Sequence, residues 1–503
     1  MTLAELVEKV AGAQVRGDPS ATVRSLAYHT RDVGEGTLFF CIPGLRSDGH
    51  EFAARAAAAG AAALVCEHVT ESAIPQVLVP STRRALAQMA AHWYGDPSHE
   101  LIVTGITGTN GKTTTAHLVA GITAAAGRRS ALLGTVVNRI GGHDHPVLLT
   151  TAESLELQRM FREMVVAGDQ ACALEVSSHA LVLDRAVGIA FDAVVFTNLT
   201  RDHLDFHRDL DDYFVAKRRL FLPDEARNGD AVAVVNVGDV FGRRLAEECR
   251  PVYGDDLWTF AVAEGAVPSA EAPDACAVRL DLSAHGSAFT LLVPRLDIEE
   301  RLTLRLAARF NVENALAAAT SALALGLPLD AVREGLAVTR GVPGRFEAVR
   351  AGQRFGVIVD YSHTPDSLEN ALRAARAVSG GRVLVVFGCG GDRDRGKRPL
   401  MGAIGARLAD RAFVTSDNPR SEDPMAIIDE IAAGVPRERL DDVIVEPDRR
   451  AAIRQALAEA LTGDLVVIAG KGHEQGQTIG DRRVPFDDRE VARELLAELR
   501  EEG

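Results

Sequence analysis

The stretch LIVTGITGTNGKTTTA, residues 101–116, decides how the chain reads. Leu101, Ile102 and Val103 form a short apolar run with the pattern of a buried strand. Glycines follow at 105, 108 and 111, then Lys112 with Thr113, Thr114 and Thr115, then the helical stretch AHLVAGITAAAG. Strand, glycine turn, Lys-Thr and helix in this order predict a phosphate cradle. Glycine lets backbone N–H groups close on phosphate oxygens, and the positive end of the helix favours the anion. Lys112 is placed to reach terminal phosphates, and the Thr113 hydroxyl to sit on Mg²⁺. Ile106 stands where the strict G-x-x-x-x-G-K-[ST] pattern has its first glycine. A chance glycine turn is the alternative, and Gly-Lys-Thr between a strand and a helix argues against it.

A chain of 503 residues is too long for one core and suggests roughly three domains. Its 47% hydrophobic and 25% charged content is that of an ordinary soluble globular protein. The net charge of −15 leaves no basic stripe to neutralise a phosphate backbone, so no nucleic-acid partner is expected. Six scattered cysteines without a C-x-x-C pair read as buried reduced thiols. No apolar run approaches the ~18 residues of a membrane span, and MTLAELVEKV lacks a basic signal region. The expectation is a cytoplasmic protein without membrane insertion.

Taken in order, residues 1–98 alternate apolar runs (TLFFCI, AALVCE, QVLVP) with helical stretches, a small α/β unit closed by GDPSH. Residues 99–340 form a larger unit. Its strand-like runs ALLGTV, ACALEV, FDAVVFTNL and DAVAVVN, separated by helices, predict a doubly wound, mostly parallel sheet. Within it CAVRLDLS, AFTLLVP and RLTLRL suggest a small antiparallel part. After GVPGRFE, residues 341–503 again alternate strands (GVIVDY, RVLVVFG, RAFVTS, DVIVEP, DLVVIAG) with helices. The fold class is α/β.

Polar clusters follow the C-terminal ends of these strands, where open α/β sheets bind ligands. Glu175, with Ser177, Ser178 and His179, follows ACAL, and its carboxylate could ligate Mg²⁺ or cap the strand end. Asp202, His203 and Asp205 follow FDAVVF; His203 reads equally as a second metal ligand or as a packed or surface histidine. Lys217 lies on a helical pattern, by default solvated, and His143 and His145 lie in a loop. In the third unit Asp360 and His363, then Gly388 to Arg398, then Asp417-Asn418-Pro419-Arg420, then Gly470 to Glu474, each end a strand with glycine and charge. Singly each is a surface loop; together they make a site on one sheet edge. Arg393 and Arg420 offer planar forks for a carboxylate, and Glu474 could pair with a substrate ammonium.

GTNGKTTT, EVSSHAL, TNLTRDHLDFH, FNVENALAA, PGRFE, VDYSHTPDSLE, GCGGDRDRGKRPLMG, DNPRSEDP and AGKGHE occur in this order. Through them the chain, over about residues 24–475, resembles the Mur ligase family. The resemblance implies a UDP-substrate-binding domain at 1–98, a central ATP-binding P-loop domain at 99–340 and a Rossmann-like amino-acid-binding domain at 341–503. It implies ATP and Mg²⁺, an acyl phosphate on the D-Glu carboxylate of UDP-MurNAc-L-Ala-D-Glu, and attack by an amino acid. It implies that Gly108, Thr109, Asn110, Gly111, Lys112, Thr113 and Thr114 hold the ATP phosphates, while Thr113, Glu175 and His203 serve Mg²⁺. Lys217 matches the position that is N-carbamylated in similar ligases, an anionic oxygen ligand. Asn311, Arg345, Asp360 and His363 match nucleotide contacts; Thr30, Ser47, Thr150, Thr151, Ser177 and Arg185 match contacts to the UDP-muramoyl substrate. Arg393, Asp417, Asn418, Pro419, Arg420, Gly470 and Glu474 match the pattern of relatives that take meso-diaminopimelate. His29-Thr30-Arg31 replaces the usual Asp-Ser-Arg, and Leu149 and Leu183 replace the usual Asn and Gln. A monomer is expected.

Overall fold

The structure is a computed structural model and describes all residues except 45–46, 204–205, 226–228, 264–271, 284–285, 340 and 503. Asp205 thus lies outside the described residues. The phosphate-loop strand Ile102–Thr107 runs parallel between Ala171–Glu175 and Ala193–Phe196. In register, Glu175 stands opposite Ile106 and Phe196 opposite Thr107. Three strands therefore end at one level, and the segments that leave their C-terminal ends emerge beside the glycine loop.

Around this centre the sheet continues in parallel through Val232–Asn236, Leu257–Val262 and Ala275–Ser283. Gly286–Val293 and Ile298–Leu304 then close that edge antiparallel, as the alternating polar–apolar patterns predict. On the other side lie Ser130–Leu133, Asn138–Ile140 and His143–His145. His143 and His145 are thus in an edge strand, not the predicted loop. Gly141 and Gly142, at φ +58° and +83°, make the two-residue turn that lets the chain double back as a hairpin.

Helices cover both faces of the sheet. Lys112–Ala125, Arg309–Ala324 and Leu329–Val338 pack Leu118, Ile122, Leu316 and Leu336 against Ile106 and Val195. Ser154–Ala167, Leu210–Arg218 and Val240–Tyr253 pack Phe161, Phe214 and Leu245 against Val103 and Val194. The Arg309–Ala324 helix is buried nearly all round, which fits a sequence made of alanine, leucine, valine and small polar residues.

Before this unit, a five-stranded sheet is ordered Gln14–Arg16, Gln76–Leu78, Ala61–Cys66, Thr37–Phe40 and Ser25–Ala27. After it, a six-stranded sheet is ordered Glu347–Ala348, Gly356–Asp360, Leu465–Ala469, Val383–Phe387, Arg411–Val414 and Val443–Val445. Its strands are parallel except the first pair, and helices lie on both faces. Polar contacts tie the units together: Tyr28 Oη donates to Glu156 at 3.1 Å, and Thr200 Oγ1 to Asp366 at 2.9 Å. All six cysteines are buried and unpaired by disulfides. Among the described residues no helix is long and apolar enough to cross a membrane.

Candidate active site

The glycine loop is held by the segment after the neighbouring strand. Asn198 accepts from the Asn110 N–H through Oδ1 at 2.9 Å, and its carbonyl accepts from the Thr109 N–H at 2.8 Å. Thr197 Oγ1 donates to the Asn110 carbonyl at 2.7 Å. Gly108 sits at φ +148°, and a Cβ there would lie 1.9 Å from Thr197 Oγ1. The loop is thus pressed onto its neighbour so closely that only glycine fits. Lys112 opens the following helix, with Nζ 2.9 Å from the carbonyls of both Gly108 and Thr109.

Glu175 is fully buried. Thr113 Oγ1 donates to it at 2.9 Å, the Thr135 N–H at 2.8 Å and Thr135 Oγ1 at 3.0 Å. These donors are neutral, so they solvate the carboxylate without cancelling its charge, and burial of an uncompensated charge is costly. A hydroxyl and a carboxylate at this spacing form a hard-oxygen donor set that suits Mg²⁺. Thr135 is a residue that sequence reasoning passes over; it comes after ALLG at the end of another parallel strand, the position that made the other clusters candidates.

Lys217 departs from the default of a helix lysine and lies at the loop, where the family resemblance puts it. Expected to be solvated, it is 1% exposed, and its Nζ donates to the Gly108 carbonyl at 2.7 Å. Asp209 caps its helix by accepting from the Asp212 N–H, a contact typically worth ~1 kcal/mol. Tyr213, one turn before Lys217, lies on the same buried face, with Nζ 4.4 Å from its ring centroid. Burial, and then the charge of Lys112, drive the Lys217 amine well below its ordinary pKa. The signal was present: Tyr213, Phe214, Leu220 and Phe221 recur at helical spacing around Lys217 and mark that face as core.

His203 has φ +53° and a side chain 44% exposed, with Nε2 3.6 Å from Asp202 and its ring 5.0 Å from that of His179. Among the described residues, no three His, Cys, Asp or Glu side chains gather as a metal cluster.

Thr151 ties a second group to the same strand end. Its Oγ1 donates to the Glu175 carbonyl at 2.8 Å and accepts from the Ser177 N–H at 3.1 Å. Arg185 donates to the Thr151 carbonyl at 3.0 Å and pairs with Glu153 at 2.6 Å, while its Nε is buried without a partner. Thr150 meets Thr135 at 3.2 Å, hydroxyl to hydroxyl. A cleft of about 350 Å³ opens beside them, lined by Tyr28, Arg31, Asn138, Leu149 and Arg159 among others. Thr30 starts the short helix that contributes Arg31 to this cleft. Ser47 lies on a separate turn, where its carbonyl accepts from the Gly44 N–H.

The third unit faces the loop through Asp366, which accepts from Thr200 and, at 3.4 Å, from Asn110 Nδ2. Asn311 donates to the Ala307 carbonyl and accepts from Asn314, whose own Oδ1 stands where a Cβ on Gly111 would be. Asp360 accepts from the N–H groups of Phe346 and Ser362 at 2.6 and 2.9 Å. The Arg345 guanidinium lies over the Tyr361 ring at 4.6 Å with its Nε buried and unpartnered, apt for an anionic ligand. Burial, then the nearby Lys397 charge, lower the His363 pKa.

Asp417, Asn418 and Glu474 meet on the same sheet edge as Asp360, where the Gly470 N–H donates to the Asp360 carbonyl at 3.1 Å and Asn418 Nδ2 donates to Glu474 Oε2 at 2.8 Å. Gly470, at φ +116°, brings its backbone so near that a Cβ would lie 2.5 Å from Asp417 Oδ2. Arg420, at φ +52°, donates to the Gly391 carbonyl at 2.6 Å, and Arg393 to the Asp392 carbonyl at 3.0 Å. Pro419 is buried, and its carbonyl accepts from the Glu422 N–H.

Three family models match: "Mur ligase family, catalytic domain" at residues 22–94, "Mur ligase middle domain" at 106–322 and "Mur ligase, glutamate ligase domain" at 344–472. The UDP-N-acetylmuramoyl-L-alanyl-D-glutamate--2,6-diaminopimelate ligase of Geobacillus thermodenitrificans is 44% identical over 507 residues, 99% of this chain and 100% of that protein. The chain belongs to the Mur ligase family. A solved structure of a ligase of that same name superposes with a TM-score of 0.71 at 30% identity, covering 99% of each chain. The MurF ligase of Thermotoga maritima, solved with ADP, shares the fold at a TM-score of 0.58 and 20% identity, covering 95% of this chain and 97% of that one. As a Mur ligase the protein is an ATP-dependent, amide-bond-forming enzyme. The three-domain Mur ligase architecture is the setting of the loop, the Glu175 cluster and the Arg420–Glu474 pocket.

Proposed function

We propose that the protein joins meso-2,6-diaminopimelate to the D-Glu of UDP-MurNAc-L-Ala-D-Glu at the expense of ATP, in cytoplasmic synthesis of peptidoglycan precursors. Residues 1–98 hold the UDP end, 99–340 the ATP and 341–503 the amino acid, and the protein acts as a monomer without nucleic acid. The observation that carries this reading is the pairing of two sites. Buried Lys217 and the Thr113–Glu175 pair lie at the phosphate loop, and Asn418, two residues before Arg420, bonds Glu474 in the unit that contacts that loop through Asp366.

A carboxylate is a poor electrophile until it carries a leaving group. Backbone groups of Gly108 to Thr113 and the Lys112 ammonium bind the phosphates and offset charge on the transferring phosphoryl group. The free D-Glu carboxylate, held near Thr150, Thr151, Ser177 and Arg185, receives that group as an acyl phosphate, and ADP leaves with the electrons of the broken P–O bond. The substrate amine attacks the acyl carbon, the C–N bond forms, and phosphate leaves with the electrons of the broken C–O bond. Asn311, Arg345, Asp360 and His363 contact the nucleotide from across the domain boundary, and Thr30 and Ser47 contact the uridine end.

Thr113, Glu175, His203 and Lys217 would hold Mg²⁺, which supplies charge neutralisation at the phosphates. Lys217 takes part as a carbamate: its neutral amine adds to CO₂, a N–C bond forms, one proton leaves, and an anionic oxygen replaces the ammonium. Arg420 and Arg393 grip the distal carboxylate of meso-diaminopimelate, Asp417 and Glu474 its ammonium, with Asn418, Pro419 and Gly470 shaping the pocket.

The test is phosphate release from ATP with UDP-MurNAc-L-Ala-D-Glu and meso-diaminopimelate, L-lysine or no amine. Release that depends on meso-diaminopimelate is expected. Equal release with lysine overturns the assignment of the amino acid, and amine-independent release overturns the ligase reaction itself.

A further inference from the structure

Lys471 is a completely buried cation that the reaction as described leaves without a task. It comes after the strand Leu465–Ala469, in the turn that also carries Gly470 and Glu474. Its Nζ donates to Glu474 Oε2 at 3.1 Å and to Asn418 Oδ1 at 3.2 Å, and Asp417 Oδ1 lies 3.9 Å away. Asn418 is fixed in turn: Oδ1 also accepts from the Thr478 N–H at 2.9 Å, and Nδ2 donates to the same Glu474 oxygen at 2.8 Å. The ammonium, with three protons to give, is the hub of the cluster. Its Nζ stands beside both Asp417 and Glu474, so without it neither carboxylate keeps that shared cation. The Asn418 oxygen would also lose one of its two donors, keeping only the Thr478 N–H.

We propose that Lys471 is the positioning residue of the amino-acid pocket, holding the Glu474 carboxylate and the Asn418 amide in the inward-facing geometry that receives the substrate's distal ammonium. Lys471 acts through its two neighbours and does not touch substrate. The inference rests on the reading of this pocket as the diaminopimelate site. It predicts an effect on amino-acid affinity that is separable from phosphoryl transfer, because the loop and the Glu175 cluster belong to another unit.

The experiment is steady-state phosphate release by the full chain, comparing wild type, K471M and K471R. K471M keeps the length of the stem and removes the charge; it should raise KM for meso-diaminopimelate at least about tenfold. KM for ATP and for UDP-MurNAc-L-Ala-D-Glu should stay within about twofold of wild type. K471R, which restores a cation, should recover most of the affinity. In an E474Q background, K471M should add less than about twofold, because its target is already gone.

A K471M enzyme with unshifted KM for meso-diaminopimelate overturns the proposal, as do additive effects of K471M and E474Q, or equal rises in all three KM values. If K471M does not fold, K471Q carries the same comparison. A wild-type enzyme that shows no meso-diaminopimelate dependence refutes the pocket reading instead, an outcome distinct from a normal wild type with an indifferent K471M.

Discussion

The Nζ atoms of Lys112 and Lys217 converge on one backbone oxygen, 2.9 and 2.7 Å from the carbonyl of Gly108. Two buried ammonium groups on a single acceptor repel each other, and the cost falls on the more enclosed one. Both lysines have lowered pKa values, Lys112 through burial and Lys217 further, through burial and then the charge of Lys112. The larger lowering at Lys217 is the direction that favours a nucleophilic amine there.

A neutral Lys217 reacts with CO₂. Protein supplied with ¹³C-bicarbonate should give a carbamate carbon resonance that K217M lacks, and K217M should lose on the order of 10²-fold in turnover. A wild-type spectrum without that resonance would remove carbamylation from the mechanism.

The contact between Gly108 and Thr197 sets a second expectation. A Cβ at 108 must push Thr197 Oγ1 aside from 1.9 Å, and φ +148° is strained for any residue with a side chain. Gly108→Ala should therefore abolish nucleotide binding, measured by calorimetry with ADP, while amide bond formation falls with it. Gly127, at φ +77° with nothing within 4 Å, is the control: alanine there should leave ADP affinity unchanged.

Arg420 is the residue proposed to read the distal carboxylate of the amino acid. R420M should lower kcat/KM for meso-diaminopimelate by roughly 30-fold or more and leave the low activity with L-lysine nearly unchanged. R420K should not restore it, because a lysine ammonium cannot make the paired contacts of a guanidinium. Competition between the two amines in one reaction, read by mass spectrometry of the product, measures the ratio. Parallel losses with both amines would mean that Arg420 supports the pocket without reading the carboxylate.

His473 gives stability a pH dependence. Burial, then the nearby Arg345 charge, push its pKa down from 6.5 to about 4. Between those values the unfolded chain binds a proton that the folded chain refuses, so stability falls as pH drops from 6.5 towards 4. Below about 4 both states carry the proton, and this contribution stops changing. Melting temperatures of H473Q across this range should show a shallower acid slope than wild type. An identical slope would assign the effect to other groups.

Much of the fold is legible in the sequence because its signals are local. Apolar runs of strand length, the helices between them and the breaker GVPGRFE lie within a few residues of what they specify. The antiparallel edge announces itself through alternation in Ala275–Ser283 and Ile298–Leu304. The hairpin at His143–His145 differs from the expected loop, although Gly141-Gly142 between two short segments is its signature. Of the candidate site, Glu175 and the Thr197–Asn198 segment are legible as strand ends. Thr135 and Lys471 also follow strand ends, but their roles, like that of Asp366, come from partners distant in sequence.

The sequence alone determined family membership, the alternation of strand and helix, and the glycine–lysine–threonine loop. Those depend on spacing within a segment, which folding preserves. Only the tertiary structure decided which charges lose water. Lys217 meets Gly108 across 109 positions, Glu175 meets Thr113 across 62 and Lys471 meets Asn418 across 53. Desolvation depends on everything that encloses a group: the apolar residues around Lys217 mark its helix face as core, but what closes over the ammonium comes from distant segments. The chemistry of this protein therefore lies in residue types that the sequence displays and in their burial, which packing alone confers.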